Sequence, residues 1–396
     1  MHVIVIGAGP VGVVAAYRLV LAGIRVTLLE ANAEVREDMR ASTLHPPSLE
    51  MLAELGVFET LDAQGLRAPV YHYRNRATGE VFAFDLTELG DMTPYPFRLQ
   101  CEQFKISRLL TQLIAAHPNG AVHFSRRLLC FEQTQDGVTA RLEAPFEIET
   151  IHADYLIAAD GANSVVRKWL EIPFDGFTYP EKFLTLSTAW PIDQAIPNLA
   201  AVNYVADPSE WCVLLRVPQF WRVLVPAHDE QDGDLLTDAR KTAVFSRLVG
   251  AKAAENLQTA HRTIYRVHQR VARTYRAGRV LLAGDAAHLN NPLGGFGMNA
   301  GIHDVWNLAG KLIEIDQGAA PDERLELYDR QRRAVMHEFI QVQTIRNKAA
   351  LEAGTVAAQA TLQREMAAIL ADDSRRRDYL LNQAMFKSLE RAASIA

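Results

Sequence analysis

The chain opens on a short run of aliphatic and β-branched residues, Val3-Ile4-Val5-Ile6, with no polar alternation. Such a run predicts a strand buried on both faces of a parallel sheet. Apolar positions then recur with helical spacing from about Pro10 to Ala22. Gly23 closes that helix, and Ile24 to Leu29 predicts a second strand. Together these segments form a βαβ unit at the start of the chain.

The pattern changes from about Tyr71 to Phe97, where Tyr, Arg, Gly and Pro are scattered among short alternating runs, the texture of a second, sheet-rich unit. Helical spacing returns at about Gln103 to Ala116, followed by antiparallel strands up to Ile151. Tyr155 to Ala159 is another buried strand, ending at Asp160-Gly161. Strands and loops are predicted from about Thr178 to His268, with Trp190, Trp211, Phe220 and Trp221 among them. Val280 to Ala283 is a further buried strand. Beyond Gly294 the spacing is helical, at about Met298–Ile315, Glu323–Ala350 and in two further helices before Ala396.

This order predicts an α/β protein in which a Rossmann-like nucleotide-binding domain is interrupted by a sheet-rich substrate domain and followed by C-terminal helices. The nucleotide-binding domain is expected in three parts, 1–70, 98–177 and 270–350. The substrate domain takes 71–97 and 178–269, and the C-terminal helices take 351–396.

Composition narrows the function. At 396 residues with 49% hydrophobic and 22% charged residues, the chain has material for more than one core. A formal net charge of −6 and the lack of a basic arm argue against nucleic-acid binding. Cys101, Cys130 and Cys212 form no CxxC pair, which suggests no metal site and fits a reducing cytoplasm. The apolar N-terminus lacks a basic leader and is broken by Gly7, Gly9 and Pro10, so it reads as a strand and not a signal peptide. No run approaches the length of a membrane span.

The chemistry begins at Gly7-Ala8-Gly9-Pro10-Val11-Gly12. In G-x-G-x-x-G after a strand, Gly7 allows the tight turn, Gly9 lets backbone approach a pyrophosphate, and Gly12 lets helix and strand pack closely. The diphosphate would sit against free N–H groups at the helix start, beside Pro10 and Val11. Glu30 ends the second strand, where a carboxylate can accept from both ribose hydroxyls of an adenosine. This unit alone does not separate NAD from FAD.

Two later segments do. Asp160-Gly161-Ala162-Asn163-Ser164-Val165-Val166-Arg167 resembles the "DG" motif of the class A single-component FAD-dependent aromatic monooxygenases, typified by p-hydroxybenzoate hydroxylase. Gly278-Arg279-Val280-Leu281-Leu282-Ala283-Gly284-Asp285-Ala286-Ala287-His288 is similar to their "GD" motif. The resemblance implies that Asp285, with Gly284, accepts hydrogen bonds from the ribityl hydroxyls of FAD; the plainer alternative is that Asp285 caps the following turn. His288 is expected to be structural. Arg40 matches the family's arginine near the diphosphate, and Gln103 and Arg108 begin and lie within a helix that runs along FAD in the family.

In Pro292-Leu293-Gly294-Gly295-Phe296-Gly297-Met298-Asn299, the glycines let backbone approach a flat ring, and a helix is expected to begin at about Met298. Its N-terminus would favour the negative charge of reduced flavin by roughly 0.3–2 kcal/mol.

The resemblance implies that NADH or NADPH reduces the flavin, which combines with O2 as a C4a-hydroperoxide and passes one oxygen to an electron-rich ring. The substrate would be a small phenolic or N-heteroaromatic compound, with or without a carboxylate. Tyr204 matches loosely a family tyrosine that handles the phenol proton. Arg216 and Arg222 are candidates to hold a carboxylate, and Pro292 is a further candidate catalytic residue. Trp190, Trp211 and Trp221 are better explained as core. Acidic Glu34, Glu37 and Asp38 after the second strand would repel a 2′-phosphate, favouring NADH. A flavin reductase or oxidase, a halogenase of the same fold and a non-enzymatic FAD redox sensor are the alternatives. Trp221-Arg222-Val223-Leu224-Val225-Pro226 does not supply the W-x-W-x-I-P signature of halogenases. The sequence leaves the assembly open, a homodimer included.

Overall fold

The computed structural model describes every residue except 38, 40, 208, 229, 353 and 354. A six-stranded sheet runs in the order Arg276–Ala277, Val280–Leu282, Tyr155–Ala158, His2–Ile6, Arg25–Leu29, Gly120–His123. All neighbours are parallel except the first pair. The three central strands are buried along their whole length, because helices Pro10–Leu21, Gln103–Ala116 and Phe296–Asp316 and a three-stranded antiparallel sheet share one apolar core with them. The α/β class is as the sequence predicted. Gly120–His123, expected among antiparallel strands, instead joins the parallel edge beside Arg25–Leu29.

A second sheet of eight strands includes two long neighbours, Phe174–Thr188 and His261–Ala272. Its strands alternate between two cores, as the period of two along a strand requires. Tyr204, Val213 and Leu224 face one core, which the C-terminal helices cover through Met366, Ile369 and Leu380. Val205, Leu214, Val223 and Val225 face the other, with Val244 and Phe245. Those last two lie on helix Asp238–Val249, in a stretch where the sequence predicted only strands and loops.

The last long helical stretch is Arg324–Val335 and Gln341–Leu351 joined by a π turn at Met336–Ile340. Three helices, not two, follow it: Val356–Leu370, Asp373–Gln383 and Phe386–Ala393. Among the described residues, no helix is long and apolar enough to cross a membrane.

Candidate active site

The glycine turn after the first strand is built by contact. Gly7 has φ +102°, and a Cβ there would lie 2.4 Å from Ala159 O. A Cβ on Gly12 would lie 2.0 Å from Gly7 O, whereas one on Gly9 meets nothing within 4 Å. Gly7 and Gly12 are thus filled by protein, while Gly9 borders open space. That space is a cavity of about 550 Å³ that Gly9, Pro10 and Val11 help to line. Helix Pro10–Leu21 enters it with no side-chain cap and with proline at its start, leaving first-turn N–H groups for an anion.

Glu30 lines the same cavity. Its Oε2 accepts from Ala8 N at 2.9 Å and its Oε1 from Asn32 N at 2.9 Å. These bonds fix the carboxylate at the strand end. Gln103 also lines the cavity. Arg108, on the same helix, does not; it pairs at 2.9 Å with Glu37 on the surface. Arg40 and Asp38 lie outside the described residues.

At the second motif, Asp160 does not itself line the cavity, but Gly161 does. Asp160 Oδ2 accepts from Val165 N (2.8 Å) and Val166 N (3.3 Å), while Oδ1 is buried without a partner. Burial raises its carboxyl above the usual range, against the pull of those hydrogen bonds. Arg167 ties this motif to the third: it donates to Ala162 O (2.8 Å) and Ala286 O (2.7 Å) with its guanidinium 3.8 Å over Phe174. The sequence carried Arg167 inside the motif without a role.

At the third motif, Gly284 takes φ +60° in a short turn, and Asp285 is exposed into the cavity. His288 is buried on Asp304, away from the cavity.

Gly294 and Gly295 have φ +110° and +72°, conformations that side chains resist, and helix Phe296–Asp316 starts there with no side-chain cap. It begins slightly earlier than the predicted Met298. Pro292, Gly295, Gly297 and Met298 line the cavity. Asn299 does not; it staples the loop. Its Nδ2 donates to Thr43 O (2.8 Å) and Gly295 O (2.7 Å), and its Oδ1 accepts from His45 N at 2.8 Å. His45, which sequence reasoning missed, stacks on Phe296 at 5.4 Å and bonds Gly294 O through Nε2 at 2.8 Å. Burial, then Arg98, holds it well below the usual histidine range.

The cavity continues onto the second sheet, where Tyr204, Arg222, Val213, Leu224 and Val267 line it. Arg222 Nη1 donates to Ser42 Oγ at 3.1 Å. Arg216 does not reach the cavity; its guanidinium lies 5.6 Å over the Trp221 ring. None of the three tryptophans lines it either: Trp211 packs edge-on against Phe183, Trp221 bonds Asp193, and Trp190 packs on the core that holds Val244 and Phe245.

One cavity therefore runs from two uncapped helix starts and a strand-end carboxylate to an aromatic and cationic pocket. The open space at Gly9 and Gly161 and the strand-end carboxylate of Glu30 fit a dinucleotide such as FAD. A parallel sheet with this glycine turn joined to a second, larger and mostly antiparallel sheet is the arrangement found in the class A FAD-dependent aromatic monooxygenases. Residues 1–343 match the family model described as "FAD binding domain", and the chain belongs to that family.

The chain is 34% identical to para-nitrophenol 4-monooxygenase of Pseudomonas sp. (strain WBC-3), covering 85% of this chain and 84% of that one. It is 31% identical to 6-hydroxy-3-succinoylpyridine 3-monooxygenase HspB of Pseudomonas putida (strain DSM 28022 / S16), covering 86% of each. The crystal structure of p-nitrophenol 4-monooxygenase PnpA from Pseudomonas putida DLL-E4 superposes with a TM-score of 0.91 at 30% identity, covering 98% of this chain and 97% of that one.

Proposed function

We propose that this monooxygenase hydroxylates a single-ring phenol or hydroxypyridine, drawing electrons from NADH. The observation that carries the reading is the continuity of the cavity: the loop from Pro292 to Gly297 borders both the flavin end and the pocket of Tyr204 and Arg222. The relatives named above act on a nitrophenol and on a hydroxypyridine, which supports substrates of that size. When bound and reduced, FAD supplies the activation of O2 and the transfer of one oxygen atom to the ring.

In this reading Glu30 holds the adenosine ribose and Gly9, with the helix start at Pro10, faces the diphosphate. Asp285 faces the ribityl chain. Gly295, Gly297, Met298 and the uncapped helix start lie against the ring system. Val213, Leu224 and Val267 keep water from the reacting ring, because apolar walls offer it no partners. Tyr204 faces the phenolic oxygen, and Arg222 faces an anionic substituent. Exposed Glu34 follows the second strand, where a 2′-phosphate would be repelled, which supports NADH over NADPH; Glu37 is already paired with Arg108.

The purified yellow protein should consume NADH and O2 faster when given phenols, hydroxypyridines or quinoline acids, with a product one oxygen heavier. Flavin reduction without any oxygenated product across that panel would overturn the reading. Equal or better turnover with NADPH would remove the NADH preference alone.

A further inference from the structure

Arg98 lies on strand Arg98–Gln100, is 1% exposed, and has no carboxylate partner among the described residues. Its guanidinium lies 4.2 Å over the Tyr71 ring. Its Nη1 points at the Tyr204 hydroxyl oxygen from 3.4 Å, a weak contact beyond the usual range of about 2.7–3.2 Å for such a bond. Its Nε and Nη2 are buried with no hydrogen-bond partner. A buried cation left this way is costly unless something anionic completes it. Its neighbours do not: burial pushes the phenols of Tyr71 and Tyr379 well up and also raises that of Tyr73, with Arg98 only partly opposing this, so all three stay neutral.

Arginine carries donors and no acceptor, so the direction of the Arg98–Tyr204 contact is forced. The Tyr204 oxygen accepts, and its single hydrogen is left for the cavity that Tyr204 lines. The positive charge behind that oxygen makes the O–H a stronger donor. On the same wall stands Arg222, and the described acidic residues lining the cavity, Glu30 and Asp285, belong to the flavin end.

We infer that Arg98 is a positioning residue that makes Tyr204 a one-way donor, so that the pocket selects rings bearing an anionic oxygen, phenolates above neutral phenols or nitroarenes. This rests on the phenolic reading above and names the charge state that reading leaves open.

The test uses the holoenzyme and follows the flavin absorbance change on titration with two probes. One is 4-nitrophenol at a pH above its own ionisation, and the other is nitrobenzene, which lacks the oxygen. Arg98→Met and Tyr204→Phe should each weaken 4-nitrophenolate binding roughly tenfold or more, the size of one hydrogen bond to a charged group, and leave nitrobenzene binding unchanged. Arg98→Lys should recover part of the loss. Equal weakening of both probes, or retention of the phenolate preference in either variant, would overturn the inference. Tyr204→Phe keeps the charge and the ring, so it decides the matter if Arg98→Met does not fold. A wild-type holoenzyme that binds no phenol or hydroxypyridine of a wider panel would instead bring down the function reading, and the inference with it.

Discussion

Asp304 Oδ2 lies 2.6 Å from His288 Nε2, and both side chains are wholly buried beneath the turn that carries Asp285. The same oxygen accepts from Gly284 N at 3.1 Å, and Arg332 Nε holds the other oxygen at 2.7 Å. Burial alone would push the Asp304 carboxyl up, but His288 and Arg332 hold it below the usual carboxylate range. One buried anion thus fixes the backbone from which Asp285 projects.

Asp304→Asn keeps the side-chain size and strands the Arg332 charge. Removing one member of a buried pair costs about 3–5 kcal/mol, so the variant should unfold at markedly lower denaturant and lose FAD on gel filtration. Wild-type stability with full FAD content would show that the carboxylate is not what fixes the turn.

Gly9 and Gly12 should respond oppositely to alanine. At Gly12 the new Cβ would meet Gly7 O at 2.0 Å, an overlap that only backbone movement relieves. At Gly9 it meets nothing, but it projects where a diphosphate would approach. Gly9→Ala should therefore leave the melting temperature of the apoprotein near wild type while weakening FAD. Gly12→Ala should lower apoprotein stability first. Differential scanning of apoprotein and a flavin-quenching titration separate the two, and identical behaviour of the variants would refute the assignment.

Glu30→Gln keeps an oxygen for Ala8 N, turns an NH2 donor toward Asn32 N and removes the charge aimed at the ribose. Hydrogen bonds to charged groups contribute about 1.5–3 kcal/mol, which predicts FAD binding weaker by roughly ten- to a hundredfold. The maximal rate at saturating FAD should change little, since Glu30 lies at the adenosine end. A dissociation constant within error of wild type would exclude the ribose role.

The glycine strings and strand ends were legible because their demands are local: a positive φ, a close approach, an acid at a strand end. Thr178 to His268 was less legible. Helix Asp238–Val249 is half polar and buries only Lys241, Val244 and Phe245, so too little apolar content marked it, although Thr237 caps it through Arg240 N. Gly120–His123 is half-exposed at a parallel edge, which erased the buried-strand signature. Arg98, Asp304, Arg332 and His45 could not be read at all. Arg98 and Tyr204 lie 106 residues apart, and no spacing rule spans a crossover between sheets. Arg216 shows the converse, since a plausible cation on the right sheet reaches Trp221 and not the cavity.

His45 and His303 give the protein a definite response to acid. His303 is wholly buried with Nε2 3.1 Å from Ser48 Oγ; burial, then Arg332, pushes it down to about 3. Burial also holds His45 well below the usual range. Both are neutral in the folded chain at pH 6, whereas in the unfolded chain each takes a proton near pH 6.5. Below that value the unfolded chain binds more protons, so this stabilisation is full above about pH 6.5 and falls as the pH drops. Well below pH 6.5, each histidine contributes a slope of about 1.4 kcal/mol per pH unit. For His303 the loss continues down to its folded value of about 3. His303→Gln retains a donor for Ser48 and removes the titration. Urea unfolding of holoenzyme between pH 5 and pH 8 should therefore give a slope shallower in this variant by about 1.4 kcal/mol per unit at the acid end. An unchanged slope would mean that His303 is charged in the folded protein, and that its burial is offset by a partner other than Ser48.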